Sequence, residues 1–471
     1  MTPRRVYAVA LTIFALSAVY FLFAVQMCGW TLGPDLQWIE WIFVRADARN
    51  LTLITAFLRQ PSQLAWGYLS LSAAYLGLVF AVGRSAPLKP RTIFLLAAVV
   101  CAALILTWRV QSTDVYDYLV RGRILTMHHC NPYTVTPHAF KNDPYFPLCH
   151  WENIVWVYGP VWLFFVSLAT AIPNAAGAVI FLRALTAASH LTNGWLIWKI
   201  LGDGDPVRRA RATVLYLFCP LALAESAVNG HCDSVAVTFI LVGFLLDQRG
   251  RRPWAAAALM GAAMVKIYAG PILLFYFLAN VRHGTAPERR RAALEILIPP
   301  AILTVMFYLP FVHTRAALFA PFSGGSSSTV VQSWGKIPFI QRWLTYRQII
   351  SMGLRITVLG LYGGIISTWK DGDWRQAGGW FFFIWCAFGA TWFQPWYPIM
   401  ALAPALAAGG FRLRLPCTVL ALLAPVTYFS GCMAEPPWVG PLGAAVTPWI
   451  QVIAVTSFLA VAAGTRFKKS A

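Results

Sequence analysis

Residues 254–280 read WAAAALMGAAMVKIYAGPILLFYFLAN, and Lys266 is the only charged side chain among them. As one helix, rising about 1.5 Å per residue, that stretch is long enough to cross the roughly 30 Å hydrocarbon core of a bilayer. Its neighbours repeat the pattern. Apolar runs occur near 6–27, 66–83, 92–108, 157–173, 176–198, 213–228, 234–246, 293–312, 348–368, 378–393, 398–411, 417–433 and 446–464. Backbone groups in lipid must be satisfied within the segment, so these runs predict helices. The fold class expected is an all-α polytopic membrane protein with roughly 11–14 transmembrane helices.

Composition agrees with this. Of 471 residues, 59% are hydrophobic and 11% charged, against about 25% charged in soluble domains. That excludes a cytosolic enzyme, a nucleic-acid-binding protein and a disulfide-dense secreted domain. The net charge of +20 therefore concerns topology and contact with anionic membrane lipids rather than nucleic acid. Basic clusters at Arg4–Arg5, Arg84–Arg91, Arg208–Arg211, Arg249–Arg252, Arg282–Arg291, Lys370–Arg375, Arg412–Arg414 and Arg466–Lys469 mark cytoplasmic loops. The N-terminus is then inside an inner (cytoplasmic) membrane. The first run, too long for a signal peptide and without a small-residue cleavage site, reads as a retained helix.

Loops 28–65, 109–156, 229–233, 313–347, 394–397 and 432–445 are placed outside. One parity problem arises: two apolar runs, 157–173 and 176–198, lie between the outer loop at 109–156 and the inner cluster at 208–211, where an odd number of crossings is required. The chain reads as a single integral membrane domain. It has N-terminal helices over 1–92, a first outer loop at 109–156, a second at 313–347, and no separate soluble domain. Gly324-Gly325-Ser326-Ser327-Ser328 is its one linker-like stretch.

Ionisable groups at membrane depth are costly and therefore functional candidates. Asp114, Asp117 and Arg121 share a helical face, equally the pattern of a solvated interfacial helix. Glu225, Asn229, His231 and Asp233 crowd a gap between two runs where a plain turn needs only Asn-Gly. Lys266 either snorkels or meets a phosphate as a point charge. Gln394-Pro395-Trp396-Tyr397 forms an outer turn whose rings also suit an interfacial belt. Cys130 and Cys149 share one outer loop and are a candidate disulfide. Neither a Cys/His zinc spacing nor a Walker-type loop is present. No cofactor is expected, although Asp114, Asp117 and Asp233 could approach a divalent ion. A carboxylate able to take a hydroxyl proton, beside cations for a departing phosphate, suits sugar transfer. The alternative is a transporter or flippase of a lipid-linked saccharide, with the same charges lining its pathway.

The pattern Asp114-x-Tyr-x-Tyr-x-x-x-Gly-Arg123, then Asn131-Pro132-Tyr133, Pro137 and Tyr158-Gly159-Pro160, resembles the first outer loop of GT-C-fold glycosyltransferases. It is most similar to bacterial mannosyltransferases that use polyprenyl-phosphate mannose, and the resemblance extends over about 93–411. It implies a GT-C-like fold, a polyprenyl-phosphate-linked sugar donor, a lipid or glycan acceptor, and inverting transfer on the extracytoplasmic side. It also implies Asp114 as general base. From their charge and side of the membrane, Arg123, His231 and Lys266 are expected near the phosphate and Trp396 or Tyr397 beside the sugar or lipid, with Tyr118, Arg121, Asn131, Tyr133, Glu225, Asn229, Asp233 and Gln394 also in the substrate site. Where the family has Asp-x-Tyr-Arg-Tyr-Leu-Trp-Asp-Gly-Arg, this chain has Asp117 for the arginine and Arg121 for the second aspartate. The swap leaves Asp117 as a rival base. Asp114 also follows the third predicted helix rather than the first, as an added N-terminal hairpin would cause.

Overall fold

The computed structural model describes residues 3–28, 62–84, 89–107, 111–323, 334–391, 393–408, 410–430 and 446–467. The outer loop expected at 432–445, most of that at 28–65 and the Gly324–Ser328 stretch lie outside the described residues. The described residues form helices and turns with no strands. The longer helices are α1 (Pro3–Cys28), α2 (Ser62–Arg84), α3 (Pro90–Ile105), α4 (Asp114–Thr126), α5 (Pro160–Thr170), α6 (Ala175–Ile200), α7 (Pro206–Leu217), α8 (Asp233–Gln248), α9 (Arg252–Val265) and α10 (Pro271–Val281). They continue with α11 (Ala286–Leu303), α12 (Tyr346–Asp371), α13 (Trp374–Ile384), α14 (Pro398–Ala407), α15 (Phe411–Leu423) and α16 (Ile450–Phe467).

The polytopic all-α reading holds, but not every apolar run is one continuous helix. Among the described residues, five helices are long and apolar enough to cross a membrane in one piece: Arg5–Val25, Gln63–Val82, Ala175–Ile200, Ala286–Phe311 and Tyr346–Asp371. A sixth, Pro206–Leu217 with Pro220–Val228, is bent by 51°. The bend falls at Pro220, which has no N–H to continue the ladder. The run at 254–280 is not one helix either. α9 stops at Val265, Lys266 is extended (φ −139°, ψ 119°), and α10 restarts at Pro271. These two runs are therefore broken, and the break after α9 carries Lys266.

The two apolar runs of the parity problem form helices of very different length. α5 has 11 residues, about 16 Å of rise, too little to cross. The 26-residue α6 is long enough to cross in one piece. α5 instead packs beside α4. A Cβ on Gly122 would lie 2.7 Å from Val166 and 2.9 Å from Thr170, so only glycine admits this approach. Gly159 is tighter still: a Cβ there would sit 1.9 Å from the Met264 carbonyl oxygen. Its N–H donates to Val265 O at 3.0 Å, locking the start of α5 against the broken span at Lys266.

Candidate active site

α4 carries its polar residues on a helix buried nearly all round, so each must find a partner. Asp117 and Arg121, four residues apart, form an ion pair at 3.1 Å with side chains 5% and 6% exposed. The charge swap relative to the family pattern thus leaves a pair with reversed polarity. Asp117 Oδ1 also accepts from the Cys149 thiol at 3.1 Å, His150 N at 3.1 Å and Trp151 N at 3.0 Å. Arg121 donates to the carbonyls of Trp151 and Ile154 at 2.7 and 2.8 Å. Together they hold the far end of the outer loop, 149–154, onto α4. Burial, opposed by the Arg121 guanidinium, raises the Asp117 carboxyl above its ordinary value.

Asp114, one turn earlier, is 13% exposed at its side chain and faces a cavity of about 550 Å³. Its Oδ2 accepts from Tyr158 Oη at 3.2 Å and lies 3.6 Å from His231 Nε2. Burial opposes ionisation of Asp114, but His231, Lys266 and Tyr158 outweigh it and hold the carboxyl below its usual range.

His231 comes from the turn after Val228. There the helix widens into a π turn over Ala224–Val228, followed by Gly230 in the left-handed region (φ 70°). This geometry, often found at functional sites, turns Glu225 and His231 toward each other at 2.6 Å. Burial disfavours charge on His231, yet Glu225 and Asp114 together raise it to about 9. Trp396 stacks on the ring at 3.9 Å between centroids.

The break after α9 delivers Lys266, whose Nζ bonds Asp233 Oδ2 at 2.6 Å. Tyr268 Oη donates to Asp233 Oδ1 at 3.1 Å. The ammonium sits 5.3–5.7 Å from the rings of Tyr268, Tyr158 and Tyr397, a cage that favours a cation. Snorkelling is not its role: it is 3% exposed and lines the cavity.

The cavity thus gathers Asp114, Asp117, Tyr118, Arg121, Lys266, Gln394, Trp396 and Tyr397. Other expected site residues stand elsewhere. Arg123 turns away to Asp143, with its Nε 3.0 Å from both carboxylate oxygens, and lies over the Tyr145 ring. Asn131 donates to Phe311 O at 2.7 Å, and Tyr133 Oη to Tyr158 O at 3.0 Å. These three brace the outer loop and do not line the cavity. Glu225, Asn229 and Asp233 are wholly buried behind it. Cys130 and Cys149 are both free thiols. Cys149 points at Asp117 instead, and burial with that neighbouring charge pushes its thiol up to about 12.

The cavity also contains residues not expected from sequence: Gln111, His150, Trp151, Tyr268, Trp385 and Tyr428. Tyr268 lies two residues beyond Lys266 and was within reach of a local reading. Tyr428, 203 residues from Glu225, had no local signal. A larger groove, about 720 Å³, lies between α9 and α11 beside Arg290, Arg291 and Glu295. It contains neither a histidine nor a carboxylate pair. No three His, Cys, Asp or Glu side chains among the described residues are grouped as metal ligands. Chemically, the 550 Å³ cavity brings together a carboxylate with one oxygen open to it, a caged ammonium and several aromatic faces.

The model of the family described as alpha-(1->6)-mannopyranosyltransferase, N-terminal domain, matches residues 15–282, more than half of the chain. That interval contains Asp114, Asp117, His231 and Lys266. A search of curated proteins returned no match.

Proposed function

This chain belongs to the alpha-(1->6)-mannopyranosyltransferase family, and on that footing we propose that it moves mannose from a polyprenyl-phosphate donor to a glycan or lipid hydroxyl, forming an α-(1→6) linkage with inversion. It is a membrane mannosyltransferase by family and by its apolar helices. The proposed site faces the extracytoplasmic side, in keeping with the basic loops that place the N-terminus inside.

The observation that carries this reading is the half-open environment of Asp114. Its Oδ2 faces Tyr158 and His231, and among the described residues nothing bonds its Oδ1. Asp117 differs, because four donors converge on its Oδ1. In the proposed step the acceptor hydroxyl oxygen attacks C1 of the mannosyl group from the face opposite the phosphate. Asp114 Oδ1 takes the hydroxyl proton as the new C–O bond forms. The C1–O bond to phosphate breaks, and polyprenyl phosphate leaves with its electron pair. Lys266 faces that charge: Asp233 occupies one of its three N–H donors, leaving the others for phosphate oxygens. Tyr268, Trp385 and Tyr397 stack together as an apolar wall for the sugar.

The test is transfer by purified protein in detergent, from radiolabelled polyprenyl-phosphate mannose to a mannose-terminated acceptor. Asp114→Asn is expected to lose about 10²–10⁴-fold in kcat while Asp117→Asn keeps more activity. Full turnover by Asp114→Asn would overturn the base assignment. No transfer by wild type, with movement of a lipid-linked saccharide across proteoliposomes, would overturn the enzyme reading of this site.

A further inference from the structure

Glu225 is fully buried, yet both its oxygens are engaged. Oε2 is 2.6 Å from His231 Nδ1 and accepts from Asn229 Nδ2 at 2.9 Å, while Oε1 accepts from Tyr428 Oη at 2.6 Å. A buried carboxylate without a cation is too costly to keep, and the basic group bonded to this one is His231. With Nδ1 committed to Glu225, the other nitrogen of the ring is directed at Asp114. His231 Nε2 is buried, has no hydrogen-bond partner, and stands 3.6 Å from Asp114 Oδ2. The Trp396 face fixes the ring plane from one side.

The groups facing His231 are few. Asp114 comes from α4, Glu225 from the π turn, and Trp396 from the turn before α14. Beyond them stand Tyr158, bonded to Asp114, and Tyr428 and Asn229, bonded to Glu225. Lys266 is committed to Asp233. The ring therefore sits between two carboxylates, one sealed from the cavity and one facing it.

We propose that Glu225 is a positioning residue: through His231 it holds Asp114 as a carboxylate with Oδ1 turned toward the acceptor hydroxyl. This rests on the reading of Asp114 as the base. An imidazole locked through Nδ1 presents Nε2 in one direction only, and a buried carboxylate on the far side keeps the ring cationic. Oδ2 then accepts from Tyr158 and faces the His231 cation, whose charge favours the ionised Asp114 with Oδ2 on that side. Glu225 cannot touch substrate, so its effect falls on turnover rather than on binding.

The experiment is a pH profile of kcat for wild type, Glu225→Gln and Glu225→Asp in the transfer assay. Glu225→Gln is expected to lower kcat about 10–100-fold, as for other residues that orient a site group, with KM changed less than about 3-fold. Its acidic limb is expected to move up by about one pH unit, because a neutral His231 no longer favours the ionised Asp114. Glu225→Asp, which keeps the charge, restores most of the limb. If Glu225→Gln does not fold, His231→Asn takes its place, since its amide removes the ring charge; the same upward move is expected. An acidic limb that stays in place in whichever variant folds overturns the proposal and leaves Glu225 a structural residue. A fully active Asp114→Asn overturns instead the reading on which it rests, so the two failures are distinguishable.

Discussion

Replacing Asp117 by Asn keeps the shape of the side chain and removes only its charge. In the structure that charge serves Arg121 Nη1, the Cys149 thiol and the backbone N–H groups of His150 and Trp151, all at 3.0–3.1 Å. An asparagine oxygen in the same place still accepts from the two N–H groups, so the main loss is the counter-ion of a guanidinium only 6% exposed. Breaking a buried pair from one side costs about 3–5 kcal/mol. The low end applies, since Arg121 keeps its bonds to the carbonyls of Asp117, Trp151 and Ile154. At about 1.4 kcal/mol per tenfold, about 3 kcal/mol is roughly a 100-fold rise in the population with residues 149–151 detached from α4. Cys149 reports this directly, because its thiol is one of the donors that detaches. Maleimide labelling followed by mass spectrometry should show Cys149 modified on the order of 100-fold faster in Asp117→Asn than in wild type. Loss of the neighbouring charge also acidifies the thiol, so rates are compared at several pH values and corrected for thiolate fraction. A corrected rate within about 3-fold of wild type would show that Asp117 does not hold the loop.

Two further outcomes follow from the same packing. Gly159→Ala places a Cβ 1.9 Å from Met264 O and 2.3 Å from its carbonyl carbon; both are backbone atoms with little room to yield. It should destabilise by at least about 1–3 kcal/mol, seen as a lower midpoint in thermal unfolding, and should cut transfer by displacing Lys266; an unchanged midpoint would contradict the packing. Asp143 accepts from Arg123, His128 and Tyr145 N; burial opposes its ionisation, but these donors win and its folded value is depressed. Its contribution is therefore complete above the unfolded value of about 3.9 and is lost as pH falls through the lower folded value. Proteolysis of the 128–146 loop should accordingly stay flat down to about pH 4 and rise only below it, with Asp143→Asn cleaved fast at every pH.

Much of this protein is legible one segment at a time. Apolar length and scarce charge suffice for a polytopic helical membrane chain, because lipid leaves the backbone no other partner. The polar intrusions at Asp114–Arg123, Glu225–Asp233 and Lys266 stand out for the same reason: each is too costly at membrane depth to be idle. The four-residue spacing of Asp117 and Arg121 already contains their ion pair, since local helical geometry decides it.

What a segment cannot contain is the identity of its distant partner. Whether Lys266 snorkels, binds an anion or pairs with a carboxylate depended on Asp233, 33 residues away. The two loop cysteines share a compartment, but Cys149 is turned to Asp117 by the fold of the loop rather than to Cys130. Arg123 carries a family motif position and yet faces Asp143, because one residue of helix turns it about 100° from its neighbours. Asp114 and Asp117 are equivalent carboxylates as letters in the sequence. They separate only when loop 149–151 closes over one, while His231 and Tyr158 come up beside the other. Burial and hydrogen bonding, the terms that set which carboxylate faces a substrate, are sums over the whole fold.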